Sequence, residues 1–374
     1  MTNNTKPSAT DSVRIAWISD VHLVHRRVKI KKQLDYLRSL FNRNTISKYR
    51  AIVCSGDLFD KRIPHDSEEA IQISFWMTDL CELAKEFGVA IVFLHGTPSH
   101  DQGQPRWIVA INETIAKIGA DVRYYDKITV DKLYPGGPNT LFIPDEMNHS
   151  ADVTYKEAVE AIKMAGLDQV EVAVMHGMFH YQEPIRTVVS HDEEKYHEIV
   201  KHLIIIGHHH THTKFGIIRV PGSMERLRHN EEEDKGHFET IYSPTLGVLE
   251  EEFIVNEKAE IFATINMEGW PLNQVYAHIE SLNHYPDGSR LRLEVSRHDE
   301  AYSSMPGIKN RFPHFNIEPK PTEMVKLSKE VADLIDRPVM TGIRPDTLKG
   351  LVMPRIKGVS AETMKVVESI LDEE

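Results

Sequence analysis

The sequence predicts an α/β protein: a layered sheet structure flanked by helices, then a smaller α+β unit and C-terminal helices. Two observations carry this. From Val13 to about Leu249, short apolar runs alternate with segments of helical spacing, the pattern of sheets covered on their faces. After about Glu250 the texture changes, and one further strand-helix-strand pattern appears before a proline-rich stretch. At 374 residues the chain is long enough for two domains, each with its own core.

Residues 1–12 read as a flexible tail. Val13–Ile18, Ala51–Cys54, Val89–Leu94, Val170–Val174 and Leu203–Ile206 read as buried strands, because each is a near-continuous apolar run. Trp76, Leu80, Leu83, Ala84 and Phe87 keep helical spacing and mark a helix of about three turns or more. Residues 154–165 and 192–201 suggest further helices. Beyond 250, Ile261, Ala263 and Ile265 alternate, Leu272, Val275, Ile279 and Leu282 follow a helix, and Leu291, Leu293 and Val295 alternate again after the turn Pro286-Asp-Gly-Ser289. A linker at 313–321 precedes two amphipathic helices, one carrying Met324, Leu327, Val331 and Ile335, the other Met364, Val367 and Ile370 after Ser360 as N-cap. The domain reading is therefore 13–250, 251–312, and 313–374 as linker and helices.

Composition narrows the class of protein. Lys and Arg number 44 against 56 Asp and Glu, a net charge of −12, with 41% hydrophobic and 27% charged residues. That is ordinary globular usage. No apolar run approaches the ~18 residues that span a bilayer, and the polar start MTNNTKPSAT lacks the apolar core of an export signal. Cys54 and Cys81 make no disulfide framework, so a reduced, cytoplasmic protein is expected. The 21 histidines stand out, since histidine is the commonest metal ligand.

Those histidines and a set of carboxylates fall just after the ends of predicted strands, where open α/β sheets build their sites. The first strand is followed by Asp20-Val-His22, the second by Gly56-Asp57-Leu-Phe-Asp60, and the third by Gly96-Thr-Pro-Ser-His100-Asp101. The fourth leads to His176-Gly177 and the fifth to Gly207-His208-His-His210. Singly, His22 or His176 reads as a hydrogen-bonded core histidine; five fragments in succession read as a metal cage. Mixed carboxylate and imidazole donors suit Mn, Fe or Zn better than Ca. Two cations about 3.5–4 Å apart need a bridging ligand, and Asp57 is the natural one. Such a pair generates hydroxide near neutral pH and clamps a phosphate. His100, with Asp101 beside it to fix its tautomer, fits the donor of a proton to the leaving oxygen.

This ordered set resembles the calcineurin-like metallophosphoesterase superfamily, whose fold is a β-sandwich flanked by helices. Pro221-Gly-Ser-Met-Glu-Arg226, followed by Glu231-Glu-Glu-Asp-Lys-Gly236, resembles the segment closing the phosphoesterase domain of SbcD-like nucleases, relatives of the meiotic-recombination-eleven repair nuclease. The unit at 260–296 resembles their DNA-binding capping domain. The resemblance implies Asp20, His22 and His210 on one metal, His176 and His208 on the other, Asp57 bridging, and His100 catalytic. It also implies two Mn2+ ions (Fe2+ or Zn2+ as alternatives), exonuclease and endonuclease activity on DNA ends in repair or recombination, a homodimer, and a coiled-coil ATPase partner of the SbcC/Rad type.

The chain departs from the family pattern where Gly-Asn-His-Asp is usual. Gly96-Thr-Pro-Ser-His-Asp101 is two residues longer and lacks the asparagine that binds the second metal. Ser99 takes the slot beside the histidine and is expected to offer its hydroxyl there, with Thr97 as the other hydroxyl at hand. Val24 stands where the family tends to have glycine. The segment containing Arg26, Arg27, Lys29, Lys31 and Lys32 reads either as a strip for DNA phosphates or as one solvated face of a helix. A charge of −12 opposes a polyanion unless it is segregated. Two other readings stand beside the nuclease: a phosphoesterase of nucleotides or other small phosphodiesters, and a non-catalytic scaffold with a degraded site.

Overall fold

A computed structural model of the chain describes residues 12–145, 150–183, 187–229 and 231–322. In chain order come β1 (Val13–Ile18), α1 (Ile30–Leu40), β2 (Tyr49–Cys54), α2 (Glu68–Phe87), β3 (Ala90–Leu94), the short α3 (Pro98–Asp101) and α4 (Trp107–Ala110), and β4 (Val122–Tyr125). Then follow β5 (Thr129–Lys132), β6 (Asn139–Ile143), α5 (Ala151–Met164), β7 (Val170–His176), α6 (Glu193–Ile199), β8 (Val200–Gly207), β9 (Thr213–Phe215) and β10 (Ile218–Val220). A hairpin of β11 (Gly236–Ser243) and β12 (Gly247–Val255) completes this part. After it come β13 (Phe262–Asn266), α7 (Leu272–Ser281), β14 (Arg290–Val295), α8 (Glu300–Ser303), α9 (Met305–Arg311) and β15 (Asn316–Pro321).

The first twelve strands make two six-stranded sheets, ordered β12-β11-β1-β2-β3-β4 and β5-β6-β7-β8-β10-β9. Strands β1 to β4 are parallel, as are β6, β7, β8 and β10. Side chains alternate between the faces of a strand, and here both faces are covered. Ile15, Trp17, Val53 and Val92 meet Val172, Val174, Leu203 and Ile205 between the sheets. Ala16, Ile18, Ile52 and Ile91 point the other way, into a core shared with Leu34 and Leu37 of α1 and Ile73, Met77 and Leu80 of α2. On the far side, Ala173, Met175, Ile204 and Ile206 pack with Ala158 and Ile162 of α5 and Tyr196 of α6. This is why the strands read as unbroken apolar runs.

Local chemistry sets the helix ends. The Ser67 hydroxyl accepts a hydrogen bond from Ala70 N, Glu68 and Glu69 sit in the first turn, and Gly88 closes α2 at φ +66°. Asp192 caps α6 in the same manner. The helix expected over 192–201 stops at Ile199, because β8 starts at Val200 to pair with Val170. The hairpin of β11 and β12 was not legible in the sequence; its β11 pairs antiparallel to β1, and its alternation is broken by Glu250, Glu251 and Glu252 on an edge strand.

The chain divides into two compact units, one running to Ala263 and including Tyr285–Arg290, the other comprising Thr264–His284 and resuming at Leu291. Strands β13, β14 and β15 form a three-stranded sheet. In the second unit Val275 and Ile279 of α7 are buried, as are Leu291, Leu293 and Val295. The stretch expected as a linker over 313–321 instead contains β15, with Ile317 buried. It lies at the sheet's edge, where Pro319 and Pro321 remove donors that the sheet does not need. The amphipathic helices expected at 324–335 and 360–370 lie outside the described residues, as does nearly all of the expected tail. Among the described residues no helix is long and apolar enough to cross a membrane.

Candidate metal centre

Parallel strands in both sheets end at the same rim, so the loops after β1, β2, β3, β7 and β8 meet. Asp20, His22, Asp57 and His176 are buried there. The loops after β1 and β2 are tied by a backbone ladder: Asp20 N donates to Gly56 O (3.1 Å), His22 N to Asp57 O (3.0 Å) and Leu23 N to Leu58 O (2.8 Å). The ladder holds an unfavourable backbone. Seven non-glycine residues have positive φ among the described residues, and Asp20, His22, Val24, Asp57 and His208 are five of them. Such conformations cost on the order of 1–3 kcal/mol each and persist where the surroundings over-determine them. Val24, at φ +68°, is β-branched and stands where glycine costs least.

Among the groups of close-set potential ligands in the described residues, two lie on either side of Asp57 Oδ2, and His22 is shared with a further group that includes Asp60 and His100. In the first, Asp20, His22 and His210 each bring one ligand atom within 4.8 Å of the others; in the second, Asp57, His176 and His208 do so. Asp57 also reaches across: its Oδ2 lies 3.4 Å from His176 Nε2, 3.7 Å from His22 Nε2 and 3.5 Å from His100 Nδ1. Asp20 ties the clusters from the other side, accepting the His208 backbone N–H at 3.1 Å on both oxygens.

Hydrogen bonds on the outer ring atoms aim the imidazoles. His176 Nδ1 lies 2.7 Å from the Ser55 carbonyl, so it must be the donor, which leaves Nε2 facing Asp57. His210 Nδ1 donates to Glu231 Oε1 at 2.8 Å, and its Nε2 comes 3.2 Å from His22 Nε2. His22 Nδ1 lies 3.4 Å from Asp60 Oδ1. With both outer nitrogens turned to carboxylates, two imidazole lone pairs face each other beside Asp20 and Asp57. That donor set calls for positive charge among its members, and it fits divalent cations.

The proton affinities express the same imbalance. Burial opposes charge on His176, but the Asp57 carboxylate outweighs it and lifts the imidazole to about 10. Burial is likewise overcome at His22 by Asp60, Asp57 and Asp20, which raise it. At Asp57 burial is overridden by His176, His22 and His100, which hold its carboxyl far below the usual range. Burial and the neighbouring His176 depress His208 to about 4. Burial also works against Glu231, yet His210 and Lys235 hold its carboxyl down to about 2.

Two of the expected roles are corrected. Asp101 does not steady His100. It is fully buried, its carboxylate accepts the backbone N–H groups of Phe59 (2.9 Å) and Gly96 (2.7 Å), and burial with the Asp57 charge raises it to about 7. It pins the loops after β2 and β3. His100, 36% exposed, instead turns Nδ1 toward His22 Nδ1 (3.3 Å) and Asp57. Ser99 is exposed, and the hydroxyl at the second cluster belongs to Thr97. Its Oγ1 lies 3.1 Å from Asp57 Oδ2, 3.4 Å from His176 Nε2 and 3.3 Å from His208 Nδ1. The reason is the turn: Pro98 starts a helical turn after Thr97, so Ser99 rotates outward.

The basic strip divides. Arg26, Lys29 and Lys31 are exposed. Arg27 donates to the Leu227 carbonyl at 3.1 Å, and Lys32 pairs with Glu260 at 3.4 Å, so both serve the fold. Gly96 and Gly207 answer to close approach rather than to turn geometry. A Cβ on Gly207 would sit 2.1 Å from Ser19 Oγ and 2.5 Å from the Ser55 carbonyl; one on Gly96 would sit 2.1 Å from Asp57 N.

Two residues were given no role by the sequence reading. Glu231 lay inside a quoted motif, but nothing in the spacing pairs it with His210. Asp145 follows β6, a strand not expected, and its backbone N–H donates to the His95 carbonyl at 3.2 Å; burial raises its carboxyl, with His176 lowering and Asp57 raising it further. The run Leu141-Phe-Ile-Pro-Asp145, an apolar strand end followed by a carboxylate, was the available signal.

A sandwich with carboxylate and imidazole donors at its strand ends is the frame of a metallophosphoesterase, a class that binds divalent metals. The chain belongs to the calcineurin-like phosphoesterase family, whose model matches residues 13–237. No curated protein matches it. Among solved structures, TT1561 of Thermus thermophilus is 15% identical with a TM-score of 0.35, covering 60% of this chain and 93% of that one. A second structure is 12% identical, also with a TM-score of 0.35, covering 65% of this chain and 99% of its own. Both likenesses are slight.

Proposed function

We propose that the chain is a metal-dependent DNA nuclease of the SbcD-like kind that hydrolyses phosphodiester bonds in DNA end processing, repair or recombination. One observation carries the phosphodiester chemistry: two donor clusters converge on a single carboxylate oxygen, Asp57 Oδ2. Asp20, His22 and His210 would hold one divalent cation and His176 and His208 the other, with Asp57 shared; Mn2+ is the first choice, with Fe2+ or Zn2+ as alternatives. When bound, such a pair supplies an activated water and offsets charge building on phosphorus. The protein's own part is to fix the donors. Ser55 and Glu231 orient His176 and His210, and the Asp101 carboxylate locks the two loops that present Asp57 and His100. At the half-exposed rim, His100 passes a proton to the leaving oxygen.

The DNA reading draws support from Arg26, Lys29 and Lys31, three exposed cations just beyond the Asp20-Val-His22 loop. A coiled-coil ATPase of the SbcC/Rad type, a homodimer and a cytoplasmic setting (the host's, for a phage protein) belong to the same proposal. Small phosphodiesters are the second reading, favoured by the net charge of −12 and by the inward use of Arg27 and Lys32. Cleavage of linear duplex DNA with Mn2+ by the wild type, abolished in His100→Asn while metal and DNA binding persist, is the expected result. Hydrolysis of a small phosphodiester with duplex left intact would replace the first reading by the second. Reversing Arg26, Lys29 and Lys31 to Glu should weaken DNA binding and flatten its salt dependence by about 2–3 in log–log slope.

A further inference from the structure

His210 is the most exposed donor of the first cluster, with 15% of its side chain open against 1% for His22 and 0% for Asp20. A donor at the rim keeps a fixed geometry only if groups behind it are fixed as well. Behind the loop 210–212 runs Glu231-Glu-Glu-Asp-Lys235, and the two segments meet residue by residue. Glu231 Oε1 accepts from His210 Nδ1 at 2.8 Å, and Glu233 Oε1 accepts from the Thr211 hydroxyl at 2.5 Å. The Asp234 carbonyl accepts from His212 Nδ1 at 3.2 Å, and the His212 ring stacks on Phe253 with centroids 3.9 Å apart. Glu232 is exposed.

Lys235 closes this set from within. Its side chain is only 1% exposed, and its ammonium lies 3.0 Å from the His210 carbonyl, 3.3 Å from Glu231 Oε2 and 3.8 Å from Glu233 Oε2. Ser223 N donates to the same carbonyl at 3.0 Å. A buried charge needs partners that replace water, and those of Lys235 are the backing carboxylates and the main chain of the ligand itself. One ammonium therefore touches His210 twice, at its carbonyl directly and at its ring through Glu231.

We propose that Lys235 is a positioning residue of the first cation site: with Glu231 and Glu233 it turns the charge run 231–235 into a cradle that holds His210 ready for the ion. This rests on the two-cation reading above and adds to it a residue that touches no ion. Positioning and plain charge predict opposite signs. An ammonium near a cation repels it, so removing Lys235 would tighten the ion if charge alone mattered and loosens it if the cradle matters.

Mn2+ titration of the full chain by calorimetry tests this without any measurement of activity, with anomalous scattering to identify the ion affected. The wild type should take two ions. Lys235→Met should weaken the first by about 10–100-fold and spare the second. Glu233→Gln should weaken the first ion less, and Glu232→Gln, the same change of charge one residue away, should do nothing. In a Glu231→Gln background Lys235→Met should cost less than in the wild type, because one of its two routes to His210 is gone. Two ions on the wild type with an unchanged or tighter first ion in Lys235→Met would overturn the cradle alone. So would equal losses at both ions, or an equal cost in both backgrounds. Fewer than two ions on the wild type would overturn the two-cation reading and the cradle together. Melting curves in chelator report folding separately. If Lys235→Met does not fold, Glu233→Gln decides: loss at the first ion supports the cradle, and no loss overturns it.

Discussion

The two donor clusters share Asp57 yet are supported differently. In the first, His22 and His210 are backed by the carboxylates of Asp60 and Glu231. In the second, His176 is backed by the Ser55 main-chain carbonyl, and a threonine hydroxyl stands among the donors. A carboxylate behind an imidazole raises its basicity and strengthens it as a ligand; a carbonyl fixes its tautomer without adding charge. The first cluster is thus tuned by side chains that can be mutated, the second by the backbone. Mn2+ should accordingly bind the first site more tightly.

The largest effect is expected where the clusters merge. Asp57→Asn removes the charge common to both, and calorimetry should show both ions lost; retention of either at wild-type affinity would break the idea of a shared oxygen. Next is Glu231→Gln, predicted to weaken the first ion alone by about 10–100-fold. The same variant has an acid signature. The Glu231 carboxyl is held down to about 2 from an ordinary 4.5, so its charge stabilises the fold fully above about 4.5. That contribution, roughly 3 kcal/mol by linkage, fades as the pH falls toward 2. Chemical denaturation should show the wild type losing more stability than Glu231→Gln across that window.

Gly207→Ala comes third. The added methyl meets Ser19 and the Ser55 carbonyl, and about 1–3 kcal/mol of destabilisation should register as a drop of several degrees in Tm. Val24→Gly should be smaller: relief of a left-handed valine is offset by chain entropy and lost packing, leaving a change within about 1 kcal/mol. Ser55→Ala sharpens the comparison best by doing least. The anchor of His176 is the Ser55 carbonyl, which the variant keeps, so Mn2+ affinity at the second site should not move.

Much of this centre could be read along the chain. A loop after a buried strand has a known address at the rim of the sheet, so Asp20, His22, Asp57, His176, His208 and His210 could be grouped before any coordinates. His208 and His210, two residues apart, both turn to the clusters, as alternate residues of an extended segment do; His209 Nδ1 instead reaches the Thr211 carbonyl at 3.2 Å. The loop after β3 resisted, since two extra residues and a proline change which side chain turns inward. There Thr97, not Ser99, meets the cluster, and Asp101 serves backbone amides instead of His100.

By itself, then, the sequence determined which residue types stand at which strand ends, because apolar run length and side-chain alternation are local properties of the chain. Only the tertiary structure decided how Glu231 meets His210 across 21 residues, how Asp145 reaches the His95 carbonyl, and why Arg27 and Lys32 turn inward. Those partnerships depend on sheet order, on strand register and on the rotation of each loop. All three are settled by packing between segments far apart in the chain, and no local pattern encodes them.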